Sequence, residues 1–456
     1  MLQSRSVYIL FVGLPVVAAL MDVMSNFFGD VCLGRANPSY WTSALMIILN
    51  FQTYHQFLGS RSYTDGDYSI EVKSMCEVFF TSHEAVATEM EKMVEKLDDG
   101  SAKRSSSLGL LRLAQAPFTC TDSPVYSDGY CGIGLGMPHL DHSKIRPFLD
   151  EALGLSDGLV PWGEMGNFWD LASIRTDAEA FLLGRSVLRL GQDSGNFFLI
   201  QIHRRALGIE LTEEEAETMQ VFFTDFLQTT VLPAVPIVTN AKKMRQQRAV
   251  YLDMYVAAIE ARILSGTVTT VNEEDVLLAA NSFLDAMAFA GFPSLAGVST
   301  AVVGVFLHNL GNANDVLDWN NPVDVGRAIM EAVRVYPPVL GIPYVEGNKR
   351  YESLAGYSGY DLGVFGADSH DFRVRFDTVD EYRDQIINFA DRAFPVVGKP
   401  ETSHVCPARS FAYNLLLGFL LELDIETWME LGDKPEVQPS GSGPSFWDYY
   451  EIQKVV

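Results

Sequence analysis

The sequence predicts a mainly α-helical protein with small β-sheets, folded as one large domain around a long buried helix. Apolar residues recur at helical spacing through most of the 456 residues, and strand-like segments are few. The segment from Glu273 to Leu310 is apolar nearly all round, as expected for a helix buried on every side. We therefore expect a single domain over residues 1–439, and a tail over residues 440–456 that opens with Ser-Gly-Ser-Gly-Pro.

Composition and charge narrow the functional classes. Hydrophobic residues make up 48% of the chain and charged residues 20%, which is a globular composition. The formal net charge of -25 argues against nucleic acid as a partner, because that binding requires many lysines and arginines. The five cysteines are scattered without a CxxC pair, so they predict neither a disulfide framework nor a zinc ribbon. We expect a reducing, intracellular environment.

Residues 7–21 are apolar but shorter than a membrane span, and Gly13 and Pro15 interrupt them. Two short strands around a Gly-Leu-Pro turn explain this pattern, and a signal-peptide core is the alternative. We expect a soluble protein, with weak peripheral membrane association as an open alternative.

Apolar periodicity predicts most helices along the chain, and Thr212-Glu-Glu-Glu215 forms a capping box at the entry to one of them. The polar stretch from Asp98 to Ser107 predicts a surface loop. The predicted helices are Glu84 to Leu97, Ser143 to Leu153, Ala178 to Arg189, Asn196 to Leu207, Glu213 to Thr229, Lys242 to Leu264, Glu273 to Leu310, Pro322 to Tyr336 and Pro407 to Leu423.

The middle of the long apolar segment contains Ala290-Gly-Phe-Pro-Ser294. A glycine and a proline remove an amide donor and distort the helical ladder. This pattern predicts either a helix distorted where a ligand approaches or two helices joined at this point.

The helix predicted from Pro322 to Tyr336 has Asn321 as its cap and is followed by two prolines. Within it Glu331 and Arg334 lie three residues apart, so a carboxylate and a guanidinium share one face. Such a pair alone is usually a surface salt bridge.

Some seventy residues further on, a polar loop punctuated by glycine and proline leads to Cys406 and then to an apolar helix. The positive end of that helix would stabilise a thiolate. The order Glu331-Ala-Val-Arg334, Pro-Pro and cysteine loop resembles the cytochrome P450 superfamily of haem-thiolate enzymes. The resemblance implies the cytochrome P450 fold, haem b as cofactor, and Cys406 as the axial ligand of the haem iron.

The resemblance implies further site residues. Leu140-Asp-His142-Ser-Lys-Ile-Arg146 has the form of the family's His-x-x-x-Arg element, and His404 stands two residues before the cysteine. In the family these positions face the haem propionates, so His142, Arg146 and His404 are expected to offset the propionate charges. Gly291 and Ser294 stand where the family has catalytic residues of the central helix above the iron.

The family also implies that Glu331 and Arg334 are structural and that an arginine ahead of the cysteine loop completes their network. Arg383 and Arg392 are both candidates, and the sequence does not choose between them.

Two departures from the usual family pattern change the expected chemistry. Seven residues separate Gly398 from Cys406 where the family usually has three, and Ala408 replaces the glycine after the cysteine. In the central helix Pro293 occupies the place of the acid that feeds protons to iron-bound dioxygen. Both departures occur in a branch typified by plant allene oxide synthases and hydroperoxide lyases.

That branch carries Gly-Pro-Glu-Thr in its enlarged loop, which Gly398-Lys-Pro-Glu-Thr402 resembles with one extra residue. The branch also has an asparagine in the central helix, where this chain has Met287 or Ala288. The asparagine is the point at which this chain departs from the branch.

The branch implies an enzyme that rearranges a lipid hydroperoxide into an allene oxide, an epoxyalcohol or an aldehyde. The substrate brings its own O–O bond, so the reaction needs no dioxygen, NADPH or redox partner. Phe289, Phe292 and Leu295 are expected either to line the acyl pocket or to pack in the core. A monooxygenase of an apolar substrate that uses Ser294 and water is one alternative, and a non-catalytic scaffold, either haem-binding or degenerate and without haem, is the other.

Two other patterns carry less weight. Cys131-Gly-Ile-Gly-Leu-Gly136 lacks the Lys-Ser/Thr of a phosphate-binding loop, so we interpret it as a loop beside the pocket. His139 and His142 could ligate a metal, but the sequence shows no third ligand and no HExxH motif, so a metal other than haem iron is not expected.

Overall fold

A computed structural model describes most of the chain from residue 69 onward. The described residues are 69–72, 77–80, 82–98, 102–104, 124–127, 137–154, 170–231, 241–338, 341–346, 349–353, 355–389, 392–432 and 451–455. The apolar segment 7–21, the glycine-containing loop 131–136 and residues 440–450 of the predicted tail lie outside the described residues.

Helices dominate the described residues, as the sequence predicts. They are α1 His83–Asp98, α2 His139–Ala152, α3 Leu171–Leu182, α4 Gln192–Ile202, α5 Glu213–Val231, α6 Ala241–Leu264, α7 Val276–Ala286, α8 Phe292–Leu307, α9 Ala313–Val316, α10 Pro322–Val335, α11 Ala355–Ser358, α12 Leu362–Phe365, α13 Val379–Gln385 and α14 Arg409–Leu423.

Short strands form two small sheets. The strands are β1 Ser69–Val72, β2 Glu77–Phe80, β3 Ala102–Arg104, β4 Val187–Arg189, β5 Ile342–Glu346, β6 Lys349–Ser353, β7 Trp428–Leu431 and β8 Glu451–Lys454. One sheet has the order β1-β2-β6-β5-β3, and its pairs are antiparallel except for β2 with β6. The other has the order β4-β8-β7 and is antiparallel. Strand β8 lies within the segment predicted as a tail and pairs with both of its neighbours.

Two segments differ from the sequence prediction. The helix predicted from Ala178 to Arg189 is α3, which begins earlier because the Asp170 side chain accepts a hydrogen bond from the amide of Ala172. It ends before Gly184, whose φ of +77° is left-handed, and the following residues pair with β8 instead. Within the predicted surface loop 98–107, residues 102–104 form β3.

The capping predictions are confirmed. The amide and hydroxyl of Thr212 both donate to the Glu215 carboxylate, and the Glu215 amide donates back to the Thr212 hydroxyl. At α10 the Asn321 side chain accepts from the amide of Val323.

The long apolar segment is one continuous element with a distorted centre. It runs from α7 through a π-helical turn at Met287–Gly291 into α8. Pro293 has no amide hydrogen to donate back along the helix, which accounts for the wider turn just before it. Nearly all of α8 is buried. The fold class is confirmed: a mainly helical domain with small sheets is arranged around this element.

Among the described residues, no single helix has the length and apolar character needed to cross a bilayer. Only Phe292–Leu307 and Leu310–Val316 taken together are long and apolar enough, and a bend of 90° separates these two helices.

Candidate functional site

A cavity of about 260 Å³ separates the central helix from the cysteine loop and α14. Its walls are largely apolar, and the sulfur-bearing Cys406 lies on one of them. The lining residues are Gly291, Ser294, Leu295, Val298, Val333, Pro338, Asn388, Phe389, His404, Cys406, Ala408, Phe411, Ala412 and Leu416.

Backbone hydrogen bonds position Cys406. Its amide donates to the carbonyl of Phe389 over 2.9 Å, and the amide of His404 donates to the carbonyl of Ala393 over 3.1 Å. Helix α14 begins at Arg409, two residues later than predicted. Cys406 therefore lies just before the helix, close to the positive end that favours a thiolate.

The extra residues of the cysteine loop fold into a closed turn. Gly398 adopts a φ of +81°, and a 3₁₀ turn spans Pro400–Thr402. The Thr402 hydroxyl donates to the carbonyl of Lys399 and accepts from the amide of Val396, so one side chain closes both ends of the turn. The insertion thus packs on itself before the chain reaches the cavity.

Arg146 fastens α2 to the cysteine loop. The side chain is almost completely buried, and its Nη1 donates to the carbonyls of Ser403 and Val405, over 2.9 and 2.6 Å. Its Nε pairs with Asp150 at 2.8 Å. Because the two carbonyls flank His404, this clamp fixes the direction in which His404 projects.

Three imidazoles meet where α2 faces the loop. His139 Nδ1 lies 3.1 Å from His404 Nε2, and the rings of His142 and His404 stack with centroids 4.2 Å apart. Residues 139 and 142 are three apart on the first turn of α2, so they share the face that meets the loop. The structure thus supplies the third histidine that the sequence did not reveal, and corrects the expectation that His139 and His142 have no further partner.

Burial keeps these imidazoles neutral. It lowers the pKa of His404 to about 3, assisted by the nearby His139 and Arg146. Burial also lowers the pKa of His142 well below its ordinary value, with further contributions from His404 and Arg146. The pKa of His139 is lowered by burial too, although Asp98 and Glu401 oppose the change. The buried positive charge beside these imidazoles therefore belongs to Arg146, and the exposed Lys399 adds a second positive charge near His139.

The central helix contributes Gly291, Ser294 and Leu295 to the cavity wall. The Ser294 hydroxyl is buried and has no hydrogen-bond partner among the described residues. Phe292 is not part of the cavity lining and instead stacks on Phe223 at 5.5 Å. The Phe289 side chain lies outside the described residues.

Glu331 and Arg334 form a completely buried ion pair, with two hydrogen bonds of 3.0 and 2.6 Å. Arg334 also donates to the backbone carbonyls of Gly359, Ser369 and Asp371. The pair therefore fixes the segment after α11 to the core rather than acting in the cavity.

The arginine that completes this network is neither Arg383 nor Arg392. Arg375 Nε lies 3.5 Å from Glu331 Oε1, while Arg392 donates to the carbonyl of Asp384. No sequence pattern distinguishes Arg375, because the partner is determined by how the irregular segment 366–378 packs against α10.

Asn388 is a cavity residue that sequence reasoning missed. Its side-chain amide donates to the carbonyl of Val333, while its Oδ1 is buried without a hydrogen-bond partner among the described residues. No motif marks this position. A lone asparagine in a turn is ordinarily a loop residue.

No family model matches the sequence, and no curated protein matches it either. The fold, in contrast, is similar to that of many solved structures. Cytochrome P450epoK bound to epothilone D has a TM-score of 0.60 at 13% identity, covering 90% of this chain and 97% of its own. P450BioI in complex with an acyl carrier protein carrying hexadec-9Z-enoic acid has a TM-score of 0.58 at 13% identity, covering 91% and 100%. A mutant of P450 EryK in complex with erythromycin B has a TM-score of 0.59 at 12% identity, covering 89% and 97%.

The chain therefore has the cytochrome P450 fold, as its motifs predicted. Cytochromes P450 are haem-thiolate proteins, and haem b is the cofactor that goes with this fold. The branch within the superfamily is a separate question, because similarity at this level of identity concerns the fold.

The residues around the cavity fit a haem. A thiol lies on one wall, and the remaining walls are mostly apolar, as a porphyrin face requires. At one corner, Arg146 Nη2 and His142 Nδ1 are buried and have no hydrogen-bond partner among the described residues. Unpaired buried donors of this kind suit an anionic carboxylate.

Proposed function

We propose that this chain is a haem-thiolate enzyme that rearranges lipid hydroperoxides, with Cys406 as the axial ligand of haem b. The observation that carries the proposal is the composition of the cavity wall, which contains no aspartate or glutamate among the described lining residues. Activation of dioxygen requires protons to be delivered to it. The family resemblance places a proton-delivering acid at position 293, but this chain has Pro293 there, which cannot deliver a proton. A hydroperoxide needs no such delivery, because its O–O bond is already present.

The other residues of the site take roles that follow from their positions. Haem bound in the cavity would supply the iron chemistry that cleaves the O–O bond. Arg146 holds the cysteine loop so that Cys406 stays on the cavity wall, and its unpaired Nη2 would hold a haem carboxylate together with His142 and His404. Leu295 and Val298 present an apolar surface to an acyl chain and exclude water.

Two polar groups in the otherwise apolar cavity can orient the hydroperoxide. Ser294 Oγ donates a hydrogen bond to a substrate oxygen, and Asn388 Oδ1 accepts one from the hydroperoxide proton. Both atoms are buried without another partner among the described residues, so bonding to substrate costs no existing hydrogen bond.

An acyl substrate agrees with one of the structural neighbours. P450BioI is solved in complex with an acyl carrier protein that carries hexadec-9Z-enoic acid. The substrate that we propose for this chain, a fatty-acid hydroperoxide, also has a long acyl chain. The acidic net charge of -25 would also slow encounter with an acidic electron-donor protein, which a peroxide rearrangement does not need.

A monooxygenase acting on an apolar substrate is the second candidate, and the Ser294 hydroxyl favours it. A buried hydroxyl with no partner among the described residues can hold a water molecule that relays protons. Solved neighbours of the same fold are in complex with epothilone D and with erythromycin B.

The deciding experiment is an anaerobic incubation of the purified protein with defined polyunsaturated fatty-acid hydroperoxides, without NADPH or a reductase. We expect rapid consumption of hydroperoxide and allene oxide hydrolysis products, epoxyalcohols or chain-cleaved aldehydes by mass spectrometry. The corresponding alcohols, which lack the O–O bond, should not react. Strict dependence of turnover on NADPH, a reductase and dioxygen would instead establish the monooxygenase. If the purified protein shows no Soret band, it binds no haem, and the remaining candidate is the degenerate, non-catalytic scaffold.

A further inference from the structure

Helix α6 and the central helix are joined by an ion pair that is shielded from solvent. Arg248 and Asp285 are both completely buried, and Arg248 Nη2 donates to both carboxylate oxygens of Asp285 over 3.2 Å. The same Nη2 donates to the side-chain oxygen of Asn281, one turn earlier on α7, and the guanidinium lies 5.9 Å from the ring of Phe226 on α5. Neither Arg248 nor Asp285 belongs to the described lining of the cavity.

A buried ion pair is an inefficient way to stabilise two packed helices. Removing two charges from water can cost as much as their attraction returns, so apolar side chains of similar volume often give equal or greater stability. An ion pair does, however, supply direction. A guanidinium donates to a carboxylate along fixed directions, whereas apolar surfaces attract each other without a preferred direction. The pair of Arg248 and Asp285 therefore fixes the register of α6 against α7.

This fixed point lies next to the π-helical turn Met287–Gly291. Asp285 is two residues before the turn begins. Directly after the turn, Phe292 stacks on Phe223 of α5, with ring centroids 5.5 Å apart. The turn is thus held by α6 at its start and by α5 at its end. Because π-helical turns are rare and interrupt the regular helical ladder, these two attachments should contribute to its position.

Within the turn, Met287 and Gly291 fit together closely. A Cβ atom on Gly291 would lie 2.9 Å from the Sδ and Cε atoms of Met287, so the thioether occupies the room that a side chain at 291 would need. Met287 is itself buried in the core. Gly291 and Ser294 line the cavity. A shift of the turn should therefore move the cavity wall, because close packing leaves little slack to absorb it.

We propose that Arg248 and Asp285 are positioning residues that fix the π-helical turn and, through it, the direction of the Ser294 hydroxyl in the cavity. This role rests on the proposed function, in which that hydroxyl donates to a substrate oxygen, and it adds the residues that hold the hydroxyl in place. A hydrogen bond weakens steeply as it departs from linearity, so a small shift of the turn is enough to weaken it.

The double substitution Arg248→Met with Asp285→Leu separates positioning from stability. An apolar pair should keep the unfolding midpoint at or above that of the wild type. Hydrogen exchange of the full-length protein, followed by mass spectrometry, should nevertheless show a loss of protection at the amides of residues 287–292. The kcat/KM for the hydroperoxide should fall about 2- to 13-fold, as for the loss of one hydrogen bond. In a Ser294→Ala background the double substitution should cause no further fall, because both changes act on the same hydrogen bond.

The matched control is Arg175→Met with Glu422→Leu, which replaces an ion pair between α3 and α14. It should change neither the exchange at residues 287–292 nor the kinetics. Unchanged protection of the turn in the folded apolar variant overturns the proposal, and so does lost protection with a wild-type kcat/KM. If the wild type consumes no hydroperoxide, the proposed function fails, and the exchange comparison alone decides whether the pair holds the turn. Should the apolar variant not fold, Arg248→Lys takes its place, because an ammonium keeps the charge without the planar fork.

Discussion

At the scale of single residues, Cys406 is positioned by its backbone. Its amide is bonded to Phe389, and Arg146 holds the carbonyl of the residue before it. Replacing Cys406 with Ala should therefore leave the fold intact while removing the iron ligand. We expect the thiolate-type Soret signature and the hydroperoxide turnover both to disappear, with an unchanged circular dichroism spectrum. A variant that kept either the signature or the turnover would refute the ligand assignment.

Ser294 offers a second test at this scale. Ser294→Ala removes a hydroxyl that makes no hydrogen bond among the described residues, so the expected loss is one hydrogen bond to substrate, about 0.5–1.5 kcal/mol. This corresponds to a fall of roughly 2- to 13-fold in kcat/KM for the hydroperoxide. The measurement is steady-state hydroperoxide consumption together with the product ratio.

Ser299→Ala is the matched control for this substitution. Ser299 lies on the same helix and is buried, but its hydroxyl donates to the carbonyl of Ala296 and lies outside the cavity lining. Its replacement should alter stability rather than kinetics. If Ser294→Ala leaves kcat/KM and products the same as wild type, Ser294 does not touch the substrate.

The sequence indicated the residues whose chemistry is distinctive and missed those defined only by position. Cys406, His404 and Arg146 stand in motifs with fixed spacing, and the structure brings these three together. Asn388 and Arg375 belong to irregular segments in which no periodicity or capping rule applies, so nothing in the local sequence distinguishes them. His139 was recognised as a potential metal ligand, but its partner is 265 positions away in the chain.

At the scale of elements, α10 is held by a fully buried ion pair. Glu331→Gln leaves the Arg334 guanidinium buried without its counter-charge and also removes the negative charge that faces Arg375. Breaking a buried pair in this way costs about 3–5 kcal/mol. We therefore expect a corresponding fall in the free energy of unfolding, measured by chemical denaturation, and poorer haem retention as a consequence.

Helix α10 also contains a second, less buried ion pair, which serves as a comparison for Glu331 and Arg334. Asp324 and Arg327 form an i,i+3 pair that remains partly exposed. Asp324→Asn should cost less than about 1 kcal/mol, because solvent screens the interaction and replaces part of it. Equal destabilisation by the two variants would show that burial does not set the importance of the Glu331 pair.

Helix prediction succeeded where apolar periodicity and an end signal agreed. The capping box at Thr212 and the Asn321 cap place the starts of α5 and α10 correctly. The prediction for Ala178 to Arg189 failed because Leu188 continues the helical pattern although its segment pairs with β8. Strand pairing over more than 260 positions is a tertiary contact that local periodicity does not contain.

At the scale of the whole molecule, the sequence predicted the fold class from helical periodicity and the cytochrome P450 fold from the order of weak motifs. Neither of these two predictions uses overall sequence identity, which is only 12–14% between this chain and the solved structures that share its fold. The cavity could not be predicted, because its walls come from segments that meet only after folding: the central helix, α10, the turn before the cysteine loop and α14.

The buried histidines should make the stability of the whole chain depend on pH. An unfolded histidine has a pKa near 6.5, whereas the folded pKa of His404 is about 3 and that of His203 about 4. Between these values the unfolded chain binds protons that the folded chain does not, so stability is full above pH 6.5 and falls as the pH is lowered. Each such histidine should contribute up to about 1.4 kcal/mol per pH unit.

The window between pH 6.5 and 5 isolates this effect. Most carboxylates of an unfolded chain remain ionised there, with ordinary pKa values of about 3.9 and 4.3, so the large acidic charge changes little. Chemical denaturation should therefore show a positive slope of unfolding free energy against pH. His404→Gln should reduce that slope by up to about 1.4 kcal/mol per pH unit, which corresponds to one proton. The contribution of His203 should remain, because His203 is buried elsewhere against Tyr255. A wild-type stability that stays constant or rises on acidification from pH 6.5 to 5 would mean that His404 and His203 are already protonated in the folded protein.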